Sequence, residues 1–320
     1  DEISKFAKSH GFPVAIKAAY GGGGRGMKVV HDEKSVKEAM ESAQRESKAF
    51  FGRDEIYVEK YLSWPRHIEI QLVGDTHGNV VWISSRDCSA QRRHQKLIEE
   101  APAPALPEGV EDEMGAAAVK AAKAVGYFNA GTVEFIYQDE EFFFLEMNTR
   151  LQVEHPVSEL ITGIDLVKEQ LKIADGQALS FSQEDLKING HAIELRVYAE
   201  DPCNNFLPDI GTLSTYKIPQ GLGVRVDDGF EQGMEIPIYY DPMIAKLCTW
   251  GADRDIAIDT MKDALDVFEL EGIGHNIPFL QAVYEHDRFV SGDITTAFIP
   301  EEYPDGFAGS EISNAYTRRI

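Results

Sequence analysis

Two glutamates in a predicted β-hairpin are the side chains whose type and setting most directly suggest chemistry. The run 131–147 is typical of strand, polar turn and strand, and it places Glu134 and Glu146 among apolar and aromatic neighbours. A carboxylate in such a strand is costly to bury unless it is paired or ligates a cation. Mg²⁺ prefers oxygen ligands, usually one or two carboxylates together with substrate phosphates. The hairpin therefore predicts a divalent-cation site, with two solvent-exposed carboxylates as the alternative.

The register of this hairpin decides whether both carboxylates can reach one ion. Because side chains alternate between the two faces of a strand, Glu134 and Glu146 share a face if they lie directly opposite each other. We expect that pairing and, with it, a loop of odd length centred near Glu140. A loop of even length would place the two side chains on opposite faces of the sheet.

Residues that could bind and deprotonate a small anion follow the second strand. Asn148 adds an amide oxygen on the Glu146 face, and Arg150, Gln152 and Glu154 come next at alternate positions. The planar guanidinium of an arginine suits an oxyanion such as bicarbonate or phosphate, and a nearby glutamate could act as a general base. Packing alone does not account for so dense an alternation of acid, base and amide.

Two further segments could bring positive charge and backbone N–H groups to a phosphate. Segment 86–96 carries four Arg or Lys residues against one Asp, with a solvated strand or loop as the alternative. The run 21–26 is almost entirely glycine and lies between two predicted strands, so it fits neither the dinucleotide-binding fingerprint nor the Walker A pattern. Its backbone could close over phosphates, with Lys17 nearby, or it could be a flexible surface hairpin.

Composition narrows the class of protein that must position these residues. The chain has 320 residues and a formal net charge of −23, which disfavours nucleic-acid binding. No apolar run approaches the ~20 residues of a membrane span, and we see no signal peptide in a chain that starts at Asp1. Three widely spaced cysteines indicate neither disulfides nor a cysteine zinc site and favour a reducing compartment.

Hydrophobic periodicity predicts alternating helices and strands, and an acidic tail after Pro300 that ends as a linker. The predicted helices are 2–10, 33–48, 111–125, a helical region at 157–175, and 253–268. The predicted strands are 14–18, 27–30, 56–60, 67–73 and 79–84, followed by the hairpin and a strand-rich region at 190–250.

Taken together, the motifs resemble the biotin carboxylase component of biotin-dependent carboxylases, an ATP-grasp enzyme. The matching stretches recur in order from about residue 12 to 300; they are 16–26, 58–61, 65–69, 86–96, Glu134, 146–156 and 191–202. The resemblance implies an α+β fold: an ATP-grasp lid (1–61), a larger mixed α/β core with an antiparallel sheet (62–189), a biotin carboxylase C-terminal subdomain (190–304) and a tail (305–320). The family's front α/β domain and an Ala-Met-Lys-Met biotin-acceptor segment are missing, so we expect a piece of a larger protein that is inactive alone.

The resemblance also implies roles for individual residues. Bicarbonate would contact Lys96, Arg150, Gln152 and Val153, with Glu154 as its base, and Arg196 would stabilise the biotin enolate. Mg²⁺ or Mn²⁺ would bind Glu134, Glu146 and Asn148. ATP would contact Lys17, Gly21, Gly22, Gly23, Gly24, Gly26, Met27, Glu59, Lys60, Leu62, His67, Gln91 and His94. Outside these motifs, His94 and His155 have ordinary structural interpretations.

The implied reaction uses ATP and bicarbonate to form carboxyphosphate, whose CO₂ then carboxylates biotin carried on another domain. The implied partners are that carrier domain, a carboxyltransferase and a second copy of the chain, in the cytoplasm or in the mitochondrial matrix of a eukaryote. Segments near 275 and 303–307 look most like the α subunit of propionyl-CoA or acetyl-CoA carboxylases, and pyruvate carboxylase stays open. The other hypotheses are a carbamoyl-phosphate synthetase module and a non-catalytic assembly module.

Overall fold

The computed structural model describes residues 2–20 and 27–309. The chain divides into two compact units, Asp1–Pro65 and Arg66–Ile320. The glycine run 21–26, predicted to cover phosphates, lies outside the described residues, as does the end of the tail from 310 onward.

The first unit is a small antiparallel sheet with helices packed on it. Its strand order is β2–β1–β3, and its core includes Val14, Ile16 and Val30. Asp32 accepts hydrogen bonds from the backbone N–H groups of Lys34 and Ser35, which starts the helical segment before α2. The elements are α1 (Glu2–His10), β1 (Val14–Ala18), β2 (Lys28–Val30), α2 (Val36–Phe51) and β3 (Ile56–Lys60).

The second unit is built on one long antiparallel sheet, and its elements confirm the predicted alternation. The first of them are β4 (Arg66–Gly74), β5 (Val80–Arg92), β6 (Gln95–Ala101), α3 (Val110–Ala124), β7 (Asn129–Gln138), β8 (Glu141–Asn148), α4 (His155–Thr162) and α5 (Leu166–Ala174). The strands that follow are β9 (His191–Tyr198), β10 (Glu200–Asp201), β11 (Leu207–Pro208), β12 (Gly211–Thr212), β13 (Thr215–Lys217), β14 (Val224–Asp228), β15 (Glu235–Ile236) and β16 (Met243–Gly251). The chain continues through α6 (Arg254–Asp266), β17 (Glu269–Glu271), α7 (Ile277–Glu285), α8 (Asp287–Ser291) and α9 (Phe298–Glu302).

The order β14–β16–β9–β6–β5–β4–β7–β8 brings residues far apart in the chain onto neighbouring strands. The basic segment 86–96 is part of this sheet and not the solvated loop of the alternative interpretation, because β5 continues to Arg92 and Arg86 is fully buried. The predicted strand 79–84 was therefore too short. Arg93 and His94, both with positive φ, form the two-residue turn into β6.

The β7–β8 hairpin places Glu134 directly opposite Glu146, as predicted. The prediction of an odd-length loop was wrong, because Gln138 pairs with Glu141 and the turn has two residues, Asp139 and Glu140. A register shift between Glu134 and Phe135 restores the expected pairing. Such a bulge adds one unpaired residue to a strand, so it returns the two carboxylates to one face.

The chain after Pro300 packs further than the predicted linker. Phe307 is buried in the large core of the second unit, where its ring contacts that of Phe279. Tyr303 packs against the same core. Aromatic burial therefore orders the chain through this segment. None of the described helices is long and apolar enough to cross a membrane.

Gly190, which precedes β9, is expected to be intolerant of any side chain. It has a φ of +73°, and an added Cβ would lie 2.1 Å from the carbonyl oxygen of Gly251. We expect Gly190→Ala to lower the free energy of unfolding by about 3 kcal/mol, through backbone strain and overpacking. Gly176→Ala is the matched control, since Gly176 has a φ of +81° with nothing within 4 Å of the added atom. Denaturant unfolding that gives equal costs for both variants would contradict the steric argument.

Candidate active site

A row of four charged residues crosses one end of the large sheet. Arg86 on β5 lies opposite Glu69 on β4, Glu69 lies opposite Glu134 on β7, and Glu134 lies opposite Glu146 on β8. Because directly opposed residues share a face, the register alone brings three carboxylates and a guanidinium together. The first three residues are buried, and Glu146 is half-buried.

Glu134 is surrounded by hydrogen-bond donors. Its Oε1 accepts from Asn148 Nδ2 at 2.9 Å and Gln152 Nε2 at 2.8 Å, and its Oε2 lies 3.0 Å from His67 Nε2. Burial alone would raise the pKa of Glu134, but the His67 contact, Lys96 and Gln152 outweigh it and hold the pKa below its ordinary range. Glu134 is therefore ionised in a buried setting, which suits a metal ligand.

Lys96 on β6 connects the carboxylate row to the segment before α4. Its Nζ donates to Glu154 Oε1 at 2.7 Å and to Glu134 Oε1 at 3.2 Å, and it also contacts Glu69. Burial lowers the pKa of Lys96, but Glu69 and the other carboxylates outweigh this effect, so the pKa is raised. Lys96 is thus a fully charged ammonium group at the centre of the cluster.

Glu154 is held between two cations. It is 2% exposed, occupies the N-cap position of α4, and accepts from Lys96 and from Arg196 Nη2 at 2.9 Å. Burial and the nearby Glu69 carboxylate raise the pKa of Glu154, but Lys96 and Arg196 lower it further, so the net pKa is lowered. The carboxylate is ionised and can accept a proton from an anion bound beside it.

The remaining members of the predicted anion site occupy different depths. Gln152 is buried, and its Oε1 accepts from Arg86 Nη2 at 2.9 Å. The carbonyl oxygen of Val153 accepts from Lys246 Nζ at 2.8 Å. Arg150 is exposed and donates from Nη2 to Asn148 Oδ1 at 3.2 Å. Lys96, Gln152, Glu154 and Arg196 therefore form one hydrogen-bonded cluster, which Arg150 reaches through Asn148.

The predicted nucleotide contacts fall in both units. In the second unit, Gln91 is buried and donates from Nε2 to the carbonyl oxygen of Cys88 at 3.0 Å, while its Nε2 lies 3.3 Å from His67 Nδ1. His94 is exposed in the β5–β6 turn. In the first unit, Lys17 on β1 forms an ion pair with Glu59 on β3. Lys60 is exposed there, and Leu62 and Met27 are half-buried.

The donor set near Glu134 fits a divalent cation of the Mg²⁺ or Mn²⁺ type. Buried His67, Glu69 and Glu134 place possible ligand atoms within 4.8 Å of one another, and so do Glu69, Cys88 and Glu154. The predicted set shares Glu134 with the first group and adds Glu146, whose Oε1 lies 3.4 Å from Asn148 Nδ2. These are mainly oxygen donors, which hard divalent cations prefer.

Sequence reasoning gave no role to Glu69 or Arg86, although both lay inside matching motifs. Arg86 donates to Glu69 Oε2 from Nη2 at 2.8 Å and to Gln71 Oε1 from Nη1 at 2.6 Å. A charged residue in each of two apolar strands was the available signal. Only the strand pairing shows that the two compensate each other, since a buried charge needs a partner.

The chain matches two family models in sequence. Residues 1–182 match "Carbamoyl-phosphate synthase L chain, ATP binding domain", and residues 194–301 match "Biotin carboxylase C-terminal domain". The chain is 51% identical to the propionyl-CoA carboxylase alpha chain of Ruegeria pomeroyi, covering 100% of this chain and 50% of the relative. It is also 51% identical to a pyruvate carboxylase subunit of Methanothermobacter thermautotrophicus, covering 94% and 61%. The chain spans about half the length of the curated relatives it matches.

Solved structures share the fold. The biotin carboxylase domain of Hydrogenobacter thermophilus 2-oxoglutarate carboxylase, solved as a dimer with MgADP, ADP and bicarbonate, superposes with a TM-score of 0.91. It is 45% identical, over 95% of this chain and 67% of that one. Biotin carboxylase from Campylobacter jejuni gives a TM-score of 0.90 at 47% identity, over 93% and 67%. The chain therefore belongs to the biotin carboxylase family, with an ATP-binding domain of the ATP-grasp fold followed by a biotin carboxylase C-terminal domain.

Proposed function

We propose that the protein containing this chain catalyses the ATP- and bicarbonate-dependent carboxylation of biotin. The observation that carries the proposal is the ionised Glu154 carboxylate held between Lys96 and Arg196, next to the Glu134 carboxylate. A buried base between two cations can accept a proton from bicarbonate while the cations hold the anion. The MgADP and bicarbonate bound in the Hydrogenobacter relative support the same substrates here.

In this mechanism, Lys96, Arg150, Gln152 and the backbone of Val153 hold bicarbonate. Glu154 takes the bicarbonate proton as a bicarbonate oxygen attacks the γ-phosphorus of ATP, and ADP leaves. The products of this step are carboxyphosphate and ADP. Charge neutralisation and positioning dominate the rate of such a phosphoryl transfer.

The metal set consists of Glu134, Glu146 and Asn148, and the ion would be Mg²⁺ or Mn²⁺. A bound divalent cation neutralises phosphate charge during the transfer. The chain's own contribution is geometric: the β7–β8 bulge keeps Glu134 and Glu146 on one face, and Gln152 orients the Glu134 carboxylate through its 2.8 Å hydrogen bond. The nucleotide would be held by the first-unit residues predicted above and by His67, Gln91 and His94.

The second half of the proposed reaction transfers CO₂ to biotin. Carboxyphosphate breaks down to CO₂ and phosphate, N1 of biotin loses a proton, and N1 attacks the CO₂. Arg196, buried beside Glu154, would stabilise the enolate of biotin. The biotin would arrive on a carrier domain, and a carboxyltransferase would use the product. A dimer of biotin carboxylase units, as in the Hydrogenobacter structure, is the proposed assembly.

The acyl acceptor is a finer proposal. We favour propionyl-CoA or acetyl-CoA, because the Ruegeria relative and several mitochondrial relatives are propionyl-CoA carboxylase alpha chains. A pyruvate carboxylase is the second candidate, since the Methanothermobacter relative is equally identical. The proposed location is the cytoplasm, or the mitochondrial matrix in a eukaryote.

The test uses the full-length protein in which this chain occurs. We expect ATP cleavage that requires bicarbonate and rises when free biotin is added, with carboxybiotin as a product. Formation of carbamoyl phosphate from ammonia without biotin would instead favour a carbamoyl-phosphate synthetase module. Binding of a carboxyltransferase without any ATP turnover would favour the non-catalytic assembly module.

A further inference from the structure

A second pair of carboxylates lies behind Arg196, on the side away from Glu154. Glu99 on β6 and Glu194 on β9 are directly opposite each other in the sheet. Both are 0% exposed. Directly opposed side chains have Cβ atoms about 5 Å apart, so the two acidic groups are immediate neighbours without access to water. The mechanism above uses neither of them.

Each of these carboxylates has one satisfied and one unsatisfied oxygen. Glu99 Oε1 accepts from Arg196 Nε at 2.6 Å, and Glu194 Oε2 accepts from Cys248 Sγ at 3.4 Å. Glu99 Oε2 and Glu194 Oε1 have no hydrogen-bond donor among residues 2–20 and 27–309. A buried carboxylate oxygen without a donor is costly, and two such oxygens on opposed residues share one remedy.

Two ionised carboxylates side by side in a dry interior repel each other strongly, whereas one added proton supplies the missing donor. We propose that Glu99 and Glu194 share a single proton, with Glu194 as the carboxylic acid and Glu99 as the carboxylate that positions Arg196. The acid of Glu194 then donates to Glu99, and both unsatisfied oxygens are accounted for. Glu99 keeps its charge because the Arg196 guanidinium lies against it.

The electrostatic surroundings agree with this division. Burial and Glu99 raise the pKa of Glu194 well above its ordinary value, against the lowering effects of Lys246 and Arg196. Burial raises the pKa of Glu99 to about 7, although Arg196 lowers it. The other charged groups that act on the pair are Glu154, from the segment before α4, and Lys96 on β6. Since the two sites are coupled, the proton belongs to the pair.

The consequence for the proposed reaction, on which this inference rests, concerns the orientation of Arg196. Its Nε donates to Glu99, and its Nη2 donates to Glu154 at 2.9 Å. Glu99 therefore fixes one edge of the guanidinium while the other edge faces the proposed base. Glu99 is a positioning residue, and Glu194 keeps it at a fixed distance and charge without adding a second negative charge.

The proton can be observed without any turnover. An infrared difference spectrum between the full-length wild-type protein and its Glu194→Gln variant at pH 8 is expected to show the C=O stretch of a protonated carboxyl group, shifted in D₂O. Absence of that band would overturn the proposal, whatever the activity of the protein. Because the spectrum requires no substrate, its outcome is independent of the proposed biotin carboxylase reaction.

The two carboxylates should also respond differently to amide substitution. Glu194→Gln supplies an N–H donor in place of the acid, so biotin carboxylation should stay within about threefold of wild type. Glu99→Gln removes the charge that orients Arg196, so carboxylation should fall on the order of 100-fold, with the KM for ATP nearly unchanged.

Glu100→Gln is the matched control, because Glu100 is the adjacent buried residue on β6 and pairs with His191 and Arg254 instead. It should lower the melting temperature without the loss in kcat. Equal losses in Glu99→Gln and Glu194→Gln, or a loss in Glu99→Gln no larger than in the control, would contradict the assigned roles.

Discussion

Replacing Glu154 by Gln in the complete enzyme is expected to lower biotin carboxylation by about 1,000-fold, within the range for loss of a positioned general base. Gln has nearly the same shape but cannot take a proton from bicarbonate. Its side-chain oxygen can still accept one of the hydrogen bonds from Lys96 and Arg196, so the local packing should survive. Nucleotide affinity, measured by titration with ATP, should change little.

The surroundings of Glu154 explain why no other group should replace it. Its two partners, Lys96 and Arg196, are cations and cannot accept a proton at neutral pH. Glu69 already pairs with Arg86 and Lys96. Loss of one negative charge would also leave the two cations less compensated, which should tighten the binding of anions while the chemical step is slowed.

Glu159→Gln is the control for this experiment. Glu159 lies on α4, one turn beyond Glu154, and forms its own ion pair with Arg225. This substitution should leave carboxylation within a few-fold of wild type. Turnover in Glu154→Gln equal to that of the control would remove Glu154 from the mechanism.

Replacing Glu134 by Gln is expected to raise the Mg²⁺ concentration needed for half-maximal ATP cleavage by at least about 100-fold. Glu134 is the carboxylate common to the predicted metal set and the buried cluster with His67 and Glu69. The substitution removes a negative charge whose pKa the surrounding donors hold low. The Gln amide also brings N–H donors to a place where Lys96, Asn148 and Gln152 already donate.

The measurement is ATP cleavage as a function of Mg²⁺ concentration, with binding of metal-free nucleotide followed separately. Glu146→Gln should shift the requirement in the same direction, because Glu146 lies opposite Glu134. Glu141→Gln, at the exposed start of β8, is the matched control on the same hairpin and should leave it unchanged. An unaltered Mg²⁺ requirement in Glu134→Gln would exclude this residue as a ligand.

Several features of the site follow from the local sequence. Alternating apolar residues around Glu134 and Glu146 predict the hairpin, because side-chain direction in a strand depends only on position. The dense run after Asn148 predicts an anion site, because residue type alone sets which groups can donate or accept. The order of the motifs indicates the biotin carboxylase family, which the family models and the solved structures confirm.

The tertiary structure decided which of these groups meet. The opposition of Glu134 and Glu146 depends on a bulge that compensates a two-residue turn, and local periodicity does not reveal a bulge. Arg86 with Glu69, and Glu99 with Glu194, are paired through strand registers that join distant parts of the chain. The physical reason is that the charge state of a buried group depends on its neighbours in space, which the sheet order sets and the sequence neighbourhood does not.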